Sequence, residues 1–261
     1  MKGPINAAFI YSIHNQLANK KTMAISHSKF IFSCCIILII TSFTYNSHPK
    51  NNYQKRIANS DTLYQIKIIE KPINYNQERI KLSLEYLKNR HGIVETQPII
   101  IPKIIVLHFT DGGTIKSVFN YFDNIKIENA REFNKKQSLL NVSSHYLIDR
   151  DGSIYHLVAD TLFARHTIGL NYCAIGIENI GSASNPLTEK QTISNANLIR
   201  YLNKKFHIEY LIGHSEYGAF RKSALWKESD SKYFTGKSDP GKEFLFNVRK
   251  LVEDLKLKSH P

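Results

Sequence analysis

The sequence predicts an α/β fold in which helices cover both faces of a β-sheet, and three observations support this prediction. Short apolar runs rich in β-branched residues, such as residues 104–107, are typical of strands that are buried on both faces. Segments with apolar residues at helical spacing alternate with these runs. Arg150-Asp151-Gly152 joins two strand-like runs as a hairpin turn. This order of elements is that of a sheet sandwiched by helices.

Length and composition are those of a globular protein with a cationic surface. The chain has 261 residues, of which 42% are hydrophobic and 22% are charged, so a substantial core can form. The net charge of +13 favours a polyanionic partner, such as a lipid surface or an anionic cell envelope. Because no basic stripe interleaved with aromatic residues is present, nucleic acid is not expected as a partner.

Four segments are predicted along the chain. Residues 1–46 form a leader, and residues 47–100 form a linker followed by a helical extension. Residues 101–256 form the main domain, which holds the candidate site residues, and residues 257–261 form a tail.

The leader is predicted to direct export to the periplasm, the cell envelope or the medium. Met23 is a possible true start, and residues 30–43 form an apolar run that is short for a membrane span but suits a secretory signal. The alternative is an uncleaved membrane anchor, because no small-residue cleavage site follows the run. Cys34 and Cys35 lie near its start, so a lipoprotein signal is not expected.

Amphipathic helices are predicted where apolar residues recur at a spacing of three and four. In the first of them, Ile80, Leu84 and Leu87 are expected to face the core, and Gly92 follows as a stop signal. The segments with this spacing are residues 77–90, 115–122, 189–206 and 240–255.

Two of the predicted strands end on a histidine. His108 follows residues 104–107, and His214 follows residues 210–213. If these strands lie side by side, two imidazoles meet at one rim of the sheet, where a zinc site can form. For either histidine alone, a hydrogen-bonded place in the core is the more common outcome. The pairing of two strand ends favours the metal site.

Three further side chains complete the candidate site. Asp239 lies in a tight polar turn and is the candidate third ligand, although an Asp before Pro240 is also a good helix N-cap. Glu178 lies on the small-residue face of a strand, where it could act as a general base on a water at the metal, or form a salt bridge. Lys237 could stabilise an oxyanion, or it could simply be solvated.

Five motifs occur in the order found in zinc-dependent N-acetylmuramoyl-L-alanine amidases. From about residue 101 to 255, the chain therefore resembles the amidase_2 family, which also includes peptidoglycan recognition proteins and T7-type phage lysozyme. The motifs are Ile-Val-Leu-His-Phe-Thr at 105–110, Ser-Ser-His-Tyr-Leu-Ile-Asp-Arg-Asp-Gly at 143–152, Ile-Gly-Ile-Glu at 175–178, Ile-Gly-His at 212–214 and Lys-Ser-Asp-Pro-Gly at 237–241.

The resemblance implies a mixed central β-sheet flanked by helices, with Zn²⁺ held by His108, His214 and Asp239. It implies that Glu178 is the catalytic glutamate and that Lys237 is the lysine just before the last ligand. Family members hydrolyse the amide between the lactyl group of N-acetylmuramic acid and L-alanine of the peptidoglycan stem peptide. We therefore expect peptidoglycan as the substrate and metal-assisted hydrolysis as the reaction.

Substrate-binding residues follow from the resemblance as well. His166 matches a histidine that lines the substrate groove of relatives, and Arg165 stands where many of them have tryptophan. His145 lies in the second motif, and Ser144 replaces the tyrosine of the phage branch, so a tyrosine-assisted mechanism is not expected. His166, His145 and Arg165 are predicted to contact substrate.

Two other functions are compatible with these motifs. One is a peptidoglycan-binding protein without catalysis, and the other is a zinc endopeptidase of the stem peptide. The presence of Asp239, Glu178 and Lys237 together favours the amidase. The sequence does not distinguish ordinary from anhydro-muramic acid, and it sets no oligomeric state.

Overall fold

A computed structural model describes residues 66–261, so the predicted leader and most of the predicted linker lie outside the described residues. The strands are β1 (Ile68–Glu70), β2 (Ile104–Phe109), β3 (Tyr146–Ile148), β4 (Ile154–His156), β5 (Ala174–Asn179) and β6 (Tyr210–Gly213). They form one six-stranded sheet in the order β1-β4-β3-β5-β2-β6. Only the β3–β4 pair is antiparallel, so the sheet is mixed and the predicted fold class is confirmed.

In the described part of the chain, residues 66–261, five α-helices connect and cover these strands. They are α1 (Gln77–His91), α2 (Ile115–Asp123), α3 (Glu132–Gln137), α4 (Glu189–Lys205) and α5 (Lys242–Leu251). The four predicted helices are present, and α3 is an additional short helix. None of the helices within residues 66–261 has the length and apolar character that crossing a membrane requires.

The two faces of β2 belong to two different layers of the core. Ile105 and Leu107 pack with buried residues of α4 and α5. Ile104 and Val106 pack on the opposite face, against the segment from residue 210 to 234. Because side chains alternate along a strand, His108 shares its face with Val106 and lies on the side of that segment. The sheet therefore presents His108 away from the α4–α5 layer.

The buried face of α1 differs from the predicted one. Of the three residues predicted to face the core, only Leu87 is buried, whereas Ile80 and Leu84 are half-buried. The buried residues of the helix are Arg79, Leu82, Ser83, Tyr86, Leu87, Arg90 and His91. The prediction from apolar spacing was wrong here because the buried side of α1 carries Arg79 and Arg90. The guanidinium groups of both residues have hydrogen-bond or ion-pair partners inside the protein.

Arg79 connects α1 to the end of α2. Its side chain is 1% exposed, and its Nη2 donates to the carbonyls of Phe122, Asp123 and Asn124 at 2.9, 3.1 and 3.1 Å. These carbonyls lie at the C-terminal end of α2, where a cation is favoured by the helix dipole and satisfies otherwise unpaired acceptors. A buried arginine can therefore replace an apolar contact between the two helices.

Replacement of Arg79 by methionine is expected to lower the free energy of unfolding by about 3 kcal/mol, because the α2 carbonyls would stay buried without donors. Urea unfolding at 25 °C measures the change. Lys81→Met is the matched control, since the Lys81 side chain is 77% exposed, and it should change stability by less than about 0.5 kcal/mol. An equally small change for Arg79→Met would contradict this account.

The burial of His91 predicts that the free energy of unfolding decreases in acid. It is buried among aromatic rings, and burial lowers its pKa from 6.5 to about 4, although it donates from Nδ1 to the carbonyl of Lys227. Between these two pH values the unfolded chain binds a proton that the folded chain does not. Stability should therefore fall as the pH falls through this window.

His91→Asn keeps a donor near that carbonyl but does not titrate. With a chelator present, the variant should lose about 2 kcal/mol less stability than the wild type when the pH is lowered from 7 to 4.5. Urea unfolding of both proteins at the two pH values measures the difference. Equal losses would show that burial does not lower the pKa of His91 in the folded chain.

Candidate active site

The two histidine-ending strands lie side by side, as predicted. β2 and β6 are parallel neighbours, and Leu107 is opposite Gly213 in their register. His108 and His214 therefore leave the sheet at the same rim. The end of β2 is held by Asn179, whose Nδ2 donates to the carbonyl of His108 at 3.0 Å and whose Oδ1 accepts from Asn195 of α4 at 2.7 Å.

His108, His214 and Asp239 converge on one point. The Nδ1 atoms of the two histidines are 3.0 Å apart, and Oδ2 of Asp239 lies 3.1 Å from His214 Nδ1 and 3.3 Å from His108 Nδ1. All three residues are buried. Burial acts to raise the pKa of Asp239, but its contacts with the two imidazoles hold that pKa well below its usual range.

Asp239 does not serve as the N-cap of α5. The N-cap residue is Gly241, and no side chain caps this helix end. The carboxylate of Asp239 points instead to the two imidazoles. Of the two roles that the sequence left open, the structure therefore favours the ligand geometry.

Glu178 lies next to the three converging side chains. It is opposite His108 in the register of β2 and β5, so both side chains lie on the same face of the sheet. Its Oε2 is buried and has no hydrogen-bond partner, and no salt bridge to Glu178 is present among the described residues. Burial raises its pKa to about 7, and the nearby charge of Asp239 acts in the same direction.

These side chains line a cavity of about 610 Å³. Lys237 is exposed and lines the same cavity, as does Arg131 just before α3. The volume is in the range of sites that bind small organic ligands. The cavity thus combines three potential metal ligands, the protonatable carboxylate of Glu178 and cationic side chains.

His166 fixes the orientation of His108. Nε2 of His166 is 3.2 Å from the carbonyl oxygen of Ala174, which can only accept, so Nε2 carries the proton in the neutral ring. Burial lowers the pKa of His166 well below 6.5 and keeps the ring neutral, which leaves Nδ1 as an acceptor. His108 then donates from Nε2 to His166 Nδ1 at 3.1 Å. The lone pair of His108 Nδ1 is consequently directed towards His214 and Asp239.

Gly176 makes room for the His166 ring. A Cβ atom at this position would lie 2.7 Å from Cγ of His166. The space above Gly176 is filled by this imidazole.

His145 and Arg165 have their polar atoms engaged within the protein. Nε2 of His145 donates to the carbonyl of Leu162 at 2.9 Å, and its Nδ1 accepts from the Gly176 amide at 3.0 Å. Arg165 lines the cavity, but its guanidinium donates to the carbonyls of residues 134, 138 and 140 and to the hydroxyl of Tyr233. Their contact with substrate stays a prediction, and the structure gives both residues an internal role.

Sequence reasoning missed Arg131, Asn179 and Tyr233. Arg131 donates to the hydroxyl of Tyr121 at 3.0 Å at the cavity, and Tyr233 is 2% exposed beside α3. Arg131 and Tyr233 belong to segments without an apolar period or a histidine, so no local pattern marks them, and Asn179 directly follows the Ile-Gly-Ile-Glu motif at 175–178 but its partners are distant in sequence. Only the tertiary fold brings them to the site.

Comparison of the sequence with profiles of known protein families gives a match. The sequence profile described as N-acetylmuramoyl-L-alanine amidase, Amidase_2, matches residues 95–242. A search of curated protein sequences returned no match.

Solved structures with a similar fold include amidases and a recognition protein. The N-acetylmuramoyl-L-alanine amidase LysC from Clostridium intestinale URNW is 22% identical, with 74% of this chain and 99% of that chain covered and a TM-score of 0.43. The amidase AmiD from E. coli, solved with the substrate anhydro-N-acetylmuramic acid-L-Ala-D-gamma-Glu-L-Lys, is 21% identical, with coverages of 60% and 58% and a TM-score of 0.41. Human PGRP-IBETAC, in complex with glycosamyl muramyl pentapeptide, is 18% identical, with coverages of 58% and 85% and a TM-score of 0.41.

The family profile covers more than half of the chain and includes every predicted metal ligand, the glutamate and the lysine. The resemblance seen in the sequence motifs is thereby confirmed. The chain belongs to the Amidase_2 family of N-acetylmuramoyl-L-alanine amidases.

Proposed function

We propose that this protein is a zinc-dependent amidase that cleaves the bond between the lactyl group of N-acetylmuramic acid and L-alanine of the peptidoglycan stem peptide. The observation that carries the proposal is the convergence of His108, His214 and Asp239 beside the unpaired carboxylate oxygen of Glu178, in a chain of the Amidase_2 family.

The three converging side chains fit a zinc ion. In a tetrahedral site with bonds of 2.0–2.1 Å, ligand atoms lie about 3.3 Å apart. The separations of 3.0, 3.1 and 3.3 Å between the three atoms are close to this value. Two imidazoles and one carboxylate are also a donor set that catalytic zinc accepts, and His166 orients His108 from behind. His108, His214 and Asp239 would hold the ion.

The bound zinc would supply a Lewis acid for the lactyl carbonyl and would lower the pKa of a water to about 7. Glu178 would accept the proton of the water as its oxygen attacks the carbonyl carbon. The Lys237 ammonium would stabilise the oxyanion that develops on the carbonyl oxygen. Glu178 would then give the proton to the alanine nitrogen as the C–N bond breaks. The products are a carboxylic acid on the lactyl group and a stem peptide with a free amino terminus.

Export agrees with this substrate. Peptidoglycan lies outside the cytoplasm, and residues 30–43 have the composition of a secretory signal. The net charge of +13 favours association with an anionic cell envelope. We therefore propose that the protein acts in the periplasm, in the cell envelope or outside the cell.

Incubation of zinc-loaded protein with purified sacculi should release stem peptides that begin with a free L-alanine, and mass spectrometry of the fragments identifies them. Glu178→Gln keeps the shape of the side chain but cannot accept a proton, so kcat should fall by about 10³-fold. Glu189→Gln, on the exposed first turn of α4, is the matched control and should behave as wild type.

The peptide fragments released from sacculi distinguish an amidase from a recognition protein and from an endopeptidase. Intact sacculi after wild-type treatment would indicate a recognition protein, and new amino groups within the stem would indicate an endopeptidase. Normal turnover by Glu178→Gln would remove this residue as the base.

Metal binding is tested separately from turnover. Purified protein should contain about one zinc per chain by elemental analysis, and Asp239→Asn should weaken zinc affinity at least about tenfold in competition with a chelator, because a charged ligand is lost. Asp254→Asn, at an exposed ion pair with Arg200, should leave the affinity unchanged. Equal zinc affinities of the wild type, Asp239→Asn and Asp254→Asn would contradict the proposed ligand set.

A further inference from the structure

We propose that Arg90, at the C-terminal end of α1, is a positioning residue that holds one wall of the substrate groove through Glu228 and Tyr233. The proposal rests on the proposed function of the same cavity. Helix α1 lies outside the segment 95–242 that matches the family profile. The wall would thus depend on an element that the profile does not include.

The last turn of α1 is joined to the segment 227–233 by several contacts. Arg90 forms an ion pair with Glu228, and the two side chains are only 10% and 1% exposed. The backbone N–H of Ser229 donates to the carbonyl of Arg90 at 2.9 Å, and its hydroxyl donates to the carbonyl of Asn89 at 2.7 Å. A buried ion pair with backbone contacts on both sides leaves this segment little freedom to move.

Tyr233 extends this connection to α3. The Arg90 guanidinium lies 4.9 Å from the centroid of the Tyr233 ring. The Tyr233 hydroxyl donates to Oδ1 of Asn134 in α3 at 3.1 Å and accepts from Nη2 of Arg165 at 3.1 Å. Tyr233 is therefore held from one side by α1 and holds α3 on the other.

Helix α3 needs this external support. It has six residues, none of them buried, and no side chain caps its N-terminus. A helix this short is not stable by itself, so its position depends on tertiary contacts. Those contacts include Tyr233 and the bonds from Arg165 to the carbonyls of residues 134, 138 and 140. Asn134 of α3 and the neighbouring Arg131 line the cavity, so movement of α3 changes the groove.

The converging ligands are anchored independently of this wall. His108 lies in β2 and His214 follows its neighbour β6, and the carbonyl of Asp239 accepts from the backbone N–H of Ser215 at 2.9 Å. Loss of the Arg90–Glu228 pair should therefore loosen the wall and leave the ligand geometry in place. The expected kinetic effect is on KM more than on kcat.

Arg90→Gln removes the charge and is compared with Arg200→Gln, which removes an arginine from the more exposed ion pair with Asp254. Hydrogen exchange of the peptide covering residues 132–137 should be at least about tenfold faster in Arg90→Gln and unchanged in Arg200→Gln. With a purified muropeptide, KM should rise about tenfold in Arg90→Gln while kcat stays within about threefold. Arg90→Lys keeps the cation beside Glu228 and should recover most of the lost affinity.

Tyr233→Phe tests the second link without removing the ion pair or the ring. It should also speed exchange at residues 132–137 and raise KM, with zinc content unchanged. If exchange and KM of Arg90→Gln match those of Arg200→Gln, the proposal is overturned. If wild type binds muropeptide without cleaving it, the proposed function fails. Faster exchange and weaker muropeptide binding in Arg90→Gln would then still support the positioning role.

Discussion

The parallel pairing of β2 with β5 on one side and with β6 on the other is the constraint on which the site depends. This register sets Glu178 opposite His108 and lets His214 follow Gly213 at the same rim. Side chains alternate between faces, so a slip of one residue in either pairing would turn a site residue into the α4–α5 layer. The apolar residues 104–107, buried on both faces, oppose such a slip because it would also disrupt two packed layers. Core packing and site geometry are therefore determined by the same backbone hydrogen bonds.

Around this sheet, buried polar groups rather than apolar contacts orient the functional side chains. Asn179 holds the backbone of His108, and His166 determines which nitrogen of that imidazole faces His214 and Asp239. The Gly176 amide is bound by His145, and the space above Gly176 admits the His166 ring. Each of these bonds satisfies a group whose burial would otherwise be costly, so each position accepts few other side chains. Orientation of the ligands and stability of the core are consequently linked.

The sequence could predict the parts of the molecule that repeat with a period or end an apolar run. The two histidine strands, the hairpin at Arg150-Asp151-Gly152 and the helix predicted at residues 189–206 are of this kind, because each is determined by neighbours along the chain. The inward face of α1 was predicted wrongly, since Arg79 and Arg90 are buried by partners that lie far away in sequence. The hydrogen bonds of Arg165 could not be predicted from the sequence either, because three of its acceptors are backbone carbonyls that any sequence could supply and the fourth, Tyr233, is distant along the chain.

The α3 wall of the cavity and the converging residues at the rim of the sheet are held in place by different kinds of interaction. The positions of His108 and His214 depend on strand register, which many main-chain bonds share, whereas the wall formed by α3 depends on the side chains of Arg90, Tyr233 and Arg165. Loss of one main-chain bond changes register little, but loss of one charged partner leaves the other buried and unpaired. On the proposed function, substitutions near the end of α1 would therefore weaken substrate binding in the groove while His108, His214 and Asp239 stay in place. A site whose reacting groups are rigid and whose wall is separately supported can vary in specificity without losing its chemistry.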